Sequence, residues 1–257
     1  MELNKIHHGD CLEIMKDIPT GSVDMILCDL PYGTTKNKWD SSIDLEELWK
    51  HYERIIKGNG IIALMAQPPF DSTLVQSNKK LFKYKWYWEK EAGTGHLNAK
   101  YQPMKSIEEI LIFTKGATSY TKNSDRRAPY DPQMRTGYKN YEITKGGLSD
   151  NYDKDYTDEP IVTKSNGERF PLSLIKFARD KEKLHPTQKP VSLMEYLIET
   201  YTNKGDIVLD NCMGSGTTAI AAINTNRNYI GFELDEEYYK ASIERINNHV
   251  KDMLPNR

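Results

Sequence analysis

Residues 206–223 read DIVLDNCMGSGTTAIAAI, and this stretch decides the fold. Its first five residues are typical of a buried strand, and Thr217 to Ile223 are typical of a helix. Between them, Gly214 and Gly216 allow a tight turn and a close approach of the backbone to a ligand. Because a helix N-terminus favours negative groups, the turn is a candidate ligand site; a purely structural turn is the alternative.

An acidic residue at the end of the next predicted strand, Tyr229–Leu234, favours the ligand site. The carboxylate of Glu233 can accept hydrogen bonds from both hydroxyls of a ribose. Gly216 is followed by Thr-Thr-Ala, so the chain lacks both the third glycine of a dinucleotide fingerprint and the lysine of a P-loop. The pattern therefore predicts a cofactor that has a ribose but little phosphate.

The same alternation of strands and helices extends outward from this turn. It predicts an α/β fold with a mostly parallel sheet and helices on both faces. The stretch 116–183 differs, because it is polar, rich in tyrosine and weakly periodic, so it is either a small separate lobe or a segment that orders on binding. The other predicted strands are Val23–Leu30, Ile61–Ala66, Lys85–Glu89 and Glu109–Thr114, and the other helices are Asp44–Lys57 (ending at Gly58-Asn59-Gly60), Val191–Thr202 and Glu236–Lys251.

The residues Asp29-Leu30-Pro31-Tyr32 follow a predicted buried strand, where open α/β sheets place their ligands. Asp29 and the carbonyl of Leu30 offer two acceptors that suit an amino group on a planar ring. Pro31 fixes φ and so orients that carbonyl, and Tyr32 offers a face for stacking. The alternative is a strand that ends in an ordinary proline turn.

These two motifs, together with HPTQKP at 185–190, resemble the S-adenosylmethionine-dependent DNA amino-methyltransferases. The catalytic motif precedes the glycine motif and a variable segment separates them, which is the permuted order of the beta class. The resemblance covers Leu3–Lys115 and Lys183–Val250. It implies a Rossmann-like methyltransferase fold, with a catalytic and cofactor-binding domain at 1–115 and 184–257 and an inserted target-recognition region at 116–183.

Two departures from the family pattern concern the motifs themselves. Leu30 replaces a proline, but only its carbonyl is needed, so we expect the chemistry to survive. Asn211 and Cys212 replace a Pro-Phe pair, which predicts a weaker aromatic contact with the cofactor.

The resemblance implies site-specific methyl transfer to adenine N6 in duplex DNA, by base flipping and direct transfer. Asp29 and the Leu30 carbonyl would each accept one N–H of the amino group, and Tyr32 would hold the base; Pro31 completes the catalytic set. An Asp rather than a Ser at position 29 points to adenine; cytosine N4 is the alternative. The implied S-adenosylmethionine residues are Asp10, Cys11, Asp29, His185, Thr187, Lys189, Asp210, Asn211, Cys212, Gly214, Ser215, Gly216, Thr217, Thr218, Glu233 and Leu234.

The charge distribution favours double-stranded DNA as the partner, although the net charge is only −2. Residues 79–145 carry 14 Lys and Arg against 7 Asp and Glu, a local charge of +7, which leaves −9 on the rest. This asymmetry predicts a basic patch beside a neutral-to-acidic body, flanking the proposed target-recognition region. The predicted DNA-binding residues are Lys36, Lys38, Trp39, His96, Asn98, Lys100, Lys105, Lys122, Arg126, Arg127, Arg135 and Lys139.

The remaining composition excludes several other classes. Three cysteines without a Cys-x-x-Cys indicate no disulfide framework and no metal site, and they suit a reducing cytoplasm. The resemblance implies that the cytoplasm is that of a prokaryote or a phage-infected cell. No apolar run is long enough for a membrane helix, and the N-terminus has no apolar leader. The resemblance adds a homodimer and a cognate restriction endonuclease as candidate partners. Less favoured alternatives are a nucleotide-dependent oxidoreductase, a non-enzymatic DNA-binding protein, and a protein-glutamine or RNA methyltransferase.

Overall fold

A computed structural model describes residues 1–33, 43–119, 125–145, 161–180 and 188–253. Its strands lie mostly in one central sheet. They are β1 (Lys5–His8), β2 (Val23–Cys28), β3 (Ile56–Ala66), β4 (Phe82–Thr94), β5 (Lys105–Phe113), β6 (Tyr141–Lys145), β7 (Ile161–Ser165), β8 (Leu174–Lys176), β9 (Ile207–Asp210) and β10 (Asn228–Glu233).

Eight of these strands form the sheet in the order β1-β10-β9-β2-β3-β5-β4-β8. Neighbouring strands are parallel except at β5, which runs antiparallel to both β3 and β4. The prediction of a mostly parallel sheet is confirmed. The strands β6 and β7 pair separately and antiparallel.

Helices cover both faces of the sheet, as predicted. Alternate residues of β2 explain this, because Met25 and Leu27 enter one buried apolar cluster while Ile26 and Cys28 enter the other. The first cluster packs against α4 and α5 and the second against α2. The described helices are α1 (Cys11–Ile14), α2 (Leu45–Ile55), α3 (Phe70–Ser77), α4 (Val191–Tyr201), α5 (Thr217–Asn224) and α6 (Glu236–Met253). None of them is long and apolar enough to cross a bilayer.

The boundary between α2 and β3 differs from the prediction. The helix ends at Ile55, and residues 58–60, which we expected to terminate it, lie inside the strand. The pairing of β2 with β3 is irregular there, since Val23 pairs with Ile56 but Met25 pairs with Ile61. A Cβ on Gly60 would meet the carbonyl oxygen of Asp24 at 2.7 Å, so glycine serves the close approach of two strands. Strands β4 and β5 also begin earlier than predicted, and β4 ends later.

The chain divides into two compact units. The first consists of 1–131 and 173–257 and contains the eight-stranded sheet. The second consists of Pro132–Leu172, which lies within the stretch predicted as an insertion, and it contains the β6–β7 pair. Of the predicted insertion, the described residues 125–131 belong to the first unit and pack on it: Ala128 is buried in its core, and the Asp131 N–H donates to the Thr200 carbonyl.

Candidate active site

Four acidic side chains follow adjacent parallel strands of the sheet. Asp10 follows β1, Glu233 ends β10, Asp210 ends β9 and Asp29 follows β2. Because the carboxyl ends of parallel strands meet at one edge of a sheet, all four lie along the same edge, which we call the catalytic edge. The sequence motifs that were recognised separately are therefore brought together by the fold.

The loop between β9 and α5 is shaped by its own hydrogen bonds. Asp210 accepts from the backbone N–H of Cys212 at 3.0 Å and from the Thr218 hydroxyl at 2.6 Å. Both Gly214 (φ +53°) and Gly216 (φ +80°) have left-handed backbone, where other residues are strained. A Cβ on Gly214 would meet nothing within 4 Å, so the backbone there faces open space. The loop thus presents backbone rather than side chains to a ligand.

Glu233 joins this loop to the end of β10. One of its carboxylate oxygens accepts from the Gly214 N–H at 2.7 Å, and the other accepts from the Asp235 N–H at 2.9 Å. Burial raises the pKa of Glu233, although these backbone donors favour the charged form. The next residue, Leu234, leaves 60 % of its surface exposed and so offers an apolar face to a ring. Asp10 caps α1 by accepting from the Leu12 N–H at 2.8 Å.

Several predicted cofactor residues direct their side chains into the protein. Asn211 accepts a short hydrogen bond from the hydroxyl of the buried Tyr52, and its amide nitrogen lies 3.5 Å from the sulfurs of Cys11 and Cys212. Ser215 and Thr217 receive hydrogen bonds from the guanidinium of Arg245. The side chains of Asn211, Ser215 and Thr217 therefore take part in hydrogen bonds that support the loop.

Two side chains hold the carboxylate of Asp29, the first residue of the tetrad formed by residues 29–32. The Tyr32 hydroxyl donates to one oxygen at 2.9 Å, and the Lys189 ammonium donates to the other at 2.5 Å. The side chain of Leu30 is buried in the core, so its carbonyl is the part available for chemistry. The ring of Tyr32, which follows Pro31, packs on Phe70 with 5.0 Å between ring centroids. Burial and the charge of Asp29 raise the pKa of Tyr32, so its hydroxyl stays protonated.

Lys189 belongs to a buried chain of charges that the sequence analysis missed. Its ammonium lies 3.4 Å from Glu108, which also contacts Lys90 at 3.1 Å. Burial opposes charge on Glu108, but Lys189 and Lys90 outweigh it, and the pKa of Glu108 lies below its usual range. Burial likewise lowers the pKa of Lys189, but Asp29 and Glu108 raise it above the usual value. A signal was present, because Glu108 alternates with the buried Ile110 and Ile112 on β5.

The loop between β4 and β5 carries three of the predicted DNA-binding residues, and a fourth, Lys105, is the first residue of β5. His96, Asn98, Lys100 and Lys105 are all exposed. This loop lies beyond the catalytic edge, because β4 is parallel to β3 and its end, Thr94, pairs with Lys105 past the last residue of β3. These four residues therefore lie toward the catalytic edge of the sheet, the edge at which Asp29 lies.

The structure contradicts the prediction of a single basic patch. Since β5 runs antiparallel to β3, it ends where β3 begins and carries the following residues to the opposite edge of the sheet. Arg127 lies there, with its carbonyl accepting from Asn59 at the start of β3, and Arg126 precedes it. Two further cations of the stretch, Lys85 and Lys90, are paired with carboxylates.

The other predicted DNA-binding and cofactor residues lie elsewhere. Within the second unit, the guanidinium of Arg135 donates to the Phe170 carbonyl and the Tyr138 hydroxyl, and Lys139 is exposed. Six predicted residues fall outside the part of the chain that the structure describes, namely Lys36, Lys38, Trp39, Lys122, His185 and Thr187.

Comparison with known proteins places this geometry in a family. The family model described as DNA methylase (N6_N4_Mtase) matches residues 23–244. The chain belongs to the N6/N4 DNA methylase family. The DNA adenine methyltransferase YhdJ of Escherichia coli (strain K12) is 32 % identical over 256 residues, which cover 95 % of this chain and 83 % of the relative. The Type II methyltransferase M1.MboII of Moraxella bovis is 31 % identical over 262 residues, covering 93 % and 94 %.

Solved structures agree with this N6/N4 DNA methylase assignment. A complex of M1.HpyAVI with S-adenosylmethionine matches with a TM-score of 0.60 and 25 % identity, covering 94 % of this chain and 98 % of the other. The PvuII DNA methyltransferase, which is cytosine-N4-specific, matches with a TM-score of 0.64 over 96 % and 91 %; at 16 % identity it shows the fold alone. The predicted Rossmann-like methyltransferase fold is confirmed, as is S-adenosylmethionine as the cofactor.

The residues of the site fit S-adenosylmethionine. The carboxylate of Glu233 retains free acceptor positions on both oxygens, since each accepts one backbone N–H and can accept another donor. The exposed Leu234 beside it offers an apolar surface for a purine, and the backbone at Gly214 borders open space that a ligand can occupy.

Proposed function

We propose that this DNA methyltransferase transfers a methyl group to N6 of adenine at a specific site in duplex DNA, after flipping that base out of the helix. One observation carries the proposal: Tyr32 and Lys189 hold a single carboxylate, Asp29, at the catalytic edge. Asp29 follows β2, and the neighbouring strand β9 leads into the glycine loop. Each oxygen of Asp29 keeps an acceptor position for the amino group of a base.

The nitrogen of an exocyclic amine is a poor nucleophile because its lone pair is delocalised into the ring. Asp29 and the Leu30 carbonyl each accept one N–H, which favours a pyramidal nitrogen and stabilises the positive charge that develops on it. Pro31 fixes the backbone that orients this carbonyl. Tyr32, already packed on Phe70, extends an aromatic surface on which the flipped base can stack.

The cofactor residues divide into two groups. Glu233 binds the ribose hydroxyls and Asp10 the adenine ring, while the backbone at Gly214 and Gly216 holds the methionine portion near Lys189. S-adenosylmethionine supplies the electrophilic methyl group when it is bound. Lys189 keeps Asp29 charged and in one orientation, and Glu108 and Lys90 in turn fix Lys189. His185 and Thr187 are included only by resemblance to the family.

Two observations favour adenine over cytosine. The tetrad begins with Asp, which in the resembling family points to adenine, and the relative YhdJ is named a DNA adenine methyltransferase. Cytosine N4 is the second candidate because the same family includes enzymes that act on it, and an acceptor pair suits either amine.

The proposed DNA contacts near the site are His96, Asn98, Lys100 and Lys105, and the second unit is proposed to recognise the target sequence. Relatives named Type II methyltransferases support a cognate restriction endonuclease as a partner. We further propose action in the cytoplasm of a prokaryote or a phage-infected cell. A homodimer remains part of the proposal on family resemblance alone.

The test is to incubate the enzyme with methyl-labelled S-adenosylmethionine and unmethylated duplex DNA, and to digest the product to nucleosides. We expect label in N6-methyldeoxyadenosine. Label in N4-methyldeoxycytidine would establish the second candidate, and no label on DNA would overturn both.

The variant Asp29→Ala connects this activity to the proposed site. Because it loses one of the two acceptors, we expect transfer to fall by at least about 100-fold while binding of S-adenosylmethionine stays measurable. Asp252→Ala, which removes an exposed carboxylate at the end of α6, is the matched control and should keep full activity. Full activity in Asp29→Ala would contradict the assignment.

A further inference from the structure

The hairpin formed by β4 and β5 extends well past the catalytic edge. Ala66, the last residue of β3, pairs with Glu109, but β5 begins four residues earlier at Lys105. At about 3.4 Å per residue, the two paired strands reach roughly 14 Å beyond the end of β3 before their connecting loop begins. The loop 95–104 is therefore the tip of a projection on the side of the sheet where Asp29 lies.

The root of this hairpin is fixed to the reacting groups. Lys90 on β4 and Glu108 on β5 are buried together, and Glu108 contacts Lys189, which holds Asp29. Nearer the tip, the Lys105 ammonium donates to the Pro68 carbonyl at 3.5 Å, two residues before the Phe70 ring that packs on Tyr32. The position of the tip relative to Asp29 is thus set by direct contacts.

The tip has a defined backbone and exposes two large apolar side chains. Gly95 (φ +94°) begins a 3-10 turn, and successive backbone hydrogen bonds continue from the Asn98 N–H to the Gln102 N–H. Leu97 leaves 96 % of its surface exposed and Tyr101 leaves 88 %, the two largest exposures among the large apolar residues in the described part of the chain. Cationic or ionisable side chains flank them, namely His96, Lys100 and Lys105.

We propose that Leu97 and Tyr101 form an apolar wedge that enters the base stack of duplex DNA and occupies the space left by the flipped base. Apolar side chains inserted between base steps offset the cost of unstacking, and neighbouring cations bind the phosphates on either side. A rigid, apolar tip with a basic rim beside the groups that act on the base suits this partner. The proposal rests on base flipping, which is part of the proposed function.

The test compares two synthetic duplexes that carry the recognition sequence, once methylation mapping of plasmid DNA has supplied it. In the first the target base is fully paired, and in the second it lies opposite an abasic site. A base without a partner is already easier to extrude, so it needs the wedge less. For Leu97→Ala, Tyr101→Ala and the double variant, we expect transfer to the paired duplex to fall roughly 10-fold or more, and transfer to the abasic duplex to fall at most about 3-fold.

Two control variants make the result specific. Lys100→Ala removes a proposed phosphate contact and should lower transfer to both duplexes by the same factor, with the loss shrinking as salt rises because the variant releases fewer counterions when it binds DNA. Val250→Ala removes exposed apolar surface on α6 and should change neither rate. Thermal unfolding and binding of S-adenosylmethionine, measured on every variant, show whether the fold is intact.

Equal losses on the two duplexes, or no loss on either, would overturn the wedge while leaving the proposed function in place. Absence of transfer by the unaltered enzyme to either duplex would instead overturn the proposed function and the wedge with it.

Discussion

The carboxyl group of Asp210 is buried at the end of β9, and burial raises its pKa to about 6 even though Thr218 and the Cys212 N–H donate to it. The charged form is therefore disfavoured in the folded protein compared with the unfolded chain, where an Asp ionises near 3.9. Between these two values the folded state binds the proton that the unfolded state has released. The contribution of Asp210 to stability consequently falls as pH rises from about 4 to about 6 and is constant above that range.

The variant Asp210→Asn tests this at the residue scale, because an amide keeps the shape of the side chain but does not titrate. We expect the free energy of unfolding of the unaltered enzyme, relative to that of the variant, to fall by about 2 to 3 kcal/mol between pH 4 and pH 7. Urea unfolding at several pH values measures the difference. A difference that is independent of pH, or that grows as pH rises, would contradict the raised pKa.

At the scale of elements, β5 carries two adjacent glutamates whose side chains take part in different ion pairs. Glu108 is 6 % exposed and bridges Lys90 and Lys189. Glu109 pairs with Lys85, which also contacts Asp71 at 3.0 Å. Loss of Glu109 leaves Lys85 with a second carboxylate, whereas loss of Glu108 leaves the buried Lys90 without its carboxylate partner.

Glu108→Gln and Glu109→Gln therefore form a matched pair. We expect Glu108→Gln to lower the free energy of unfolding by about 3 kcal/mol, and Glu109→Gln by about 1 kcal/mol, since uncompensated buried charge is costly. Only Glu108→Gln should also slow methyl transfer, because Lys189 positions Asp29. Denaturant unfolding and single-turnover transfer rates check this; equal effects of the two substitutions would show that the charge chain does not support the site.

At the scale of the whole molecule, the second unit depends on contacts of its own. The Arg169 guanidinium lies 4.4 Å from the centroid of the Tyr141 ring and 5.2 Å from that of Tyr138, and it donates to the Lys139 carbonyl at 2.7 Å. The described residues proposed to hold the cofactor all belong to the first unit. The two units can thus be perturbed separately.

We expect Arg169→Ala to lower methylation of DNA by roughly 10-fold or more, and to change the affinity for S-adenosylmethionine by less than about 2-fold, since these contacts of Arg169 share no residue with the described cofactor site. Arg169→Lys keeps the charge but loses the planar stacking, so it should have nearly the same effect. Filter-bound methylation and equilibrium cofactor binding measure the two quantities. Full activity of the Lys variant would point to a charge contact with DNA instead of packing.

Several parts of the site were predictable because their signals are local. A glycine pair between a strand and a helix, an acid at the end of the next strand and a proline turn after a buried strand all lie within short segments. The charge chain was not predicted, because Lys90, Glu108 and Lys189 are far apart along the sequence and meet only through the pairing of β4 with β5. The prediction of one basic patch was wrong for the same kind of reason. A sum of charges along the sequence ignores that β5 runs antiparallel to β3 and carries the residues after it to the opposite edge of the sheet.

The sequence by itself determined the class of fold and supplied the predictions of the cofactor loop and of the acceptor pair at Asp29 and Leu30, since each depends on the conformational preferences and chemistry of neighbouring residues. Only the tertiary structure decided which cations face the catalytic edge, how Asp29 is held, and that Leu97 and Tyr101 project beyond it. Strand order and direction bring together residues that are far apart in the sequence and separate residues that are close in it. No local pattern of residue types specifies this order or direction.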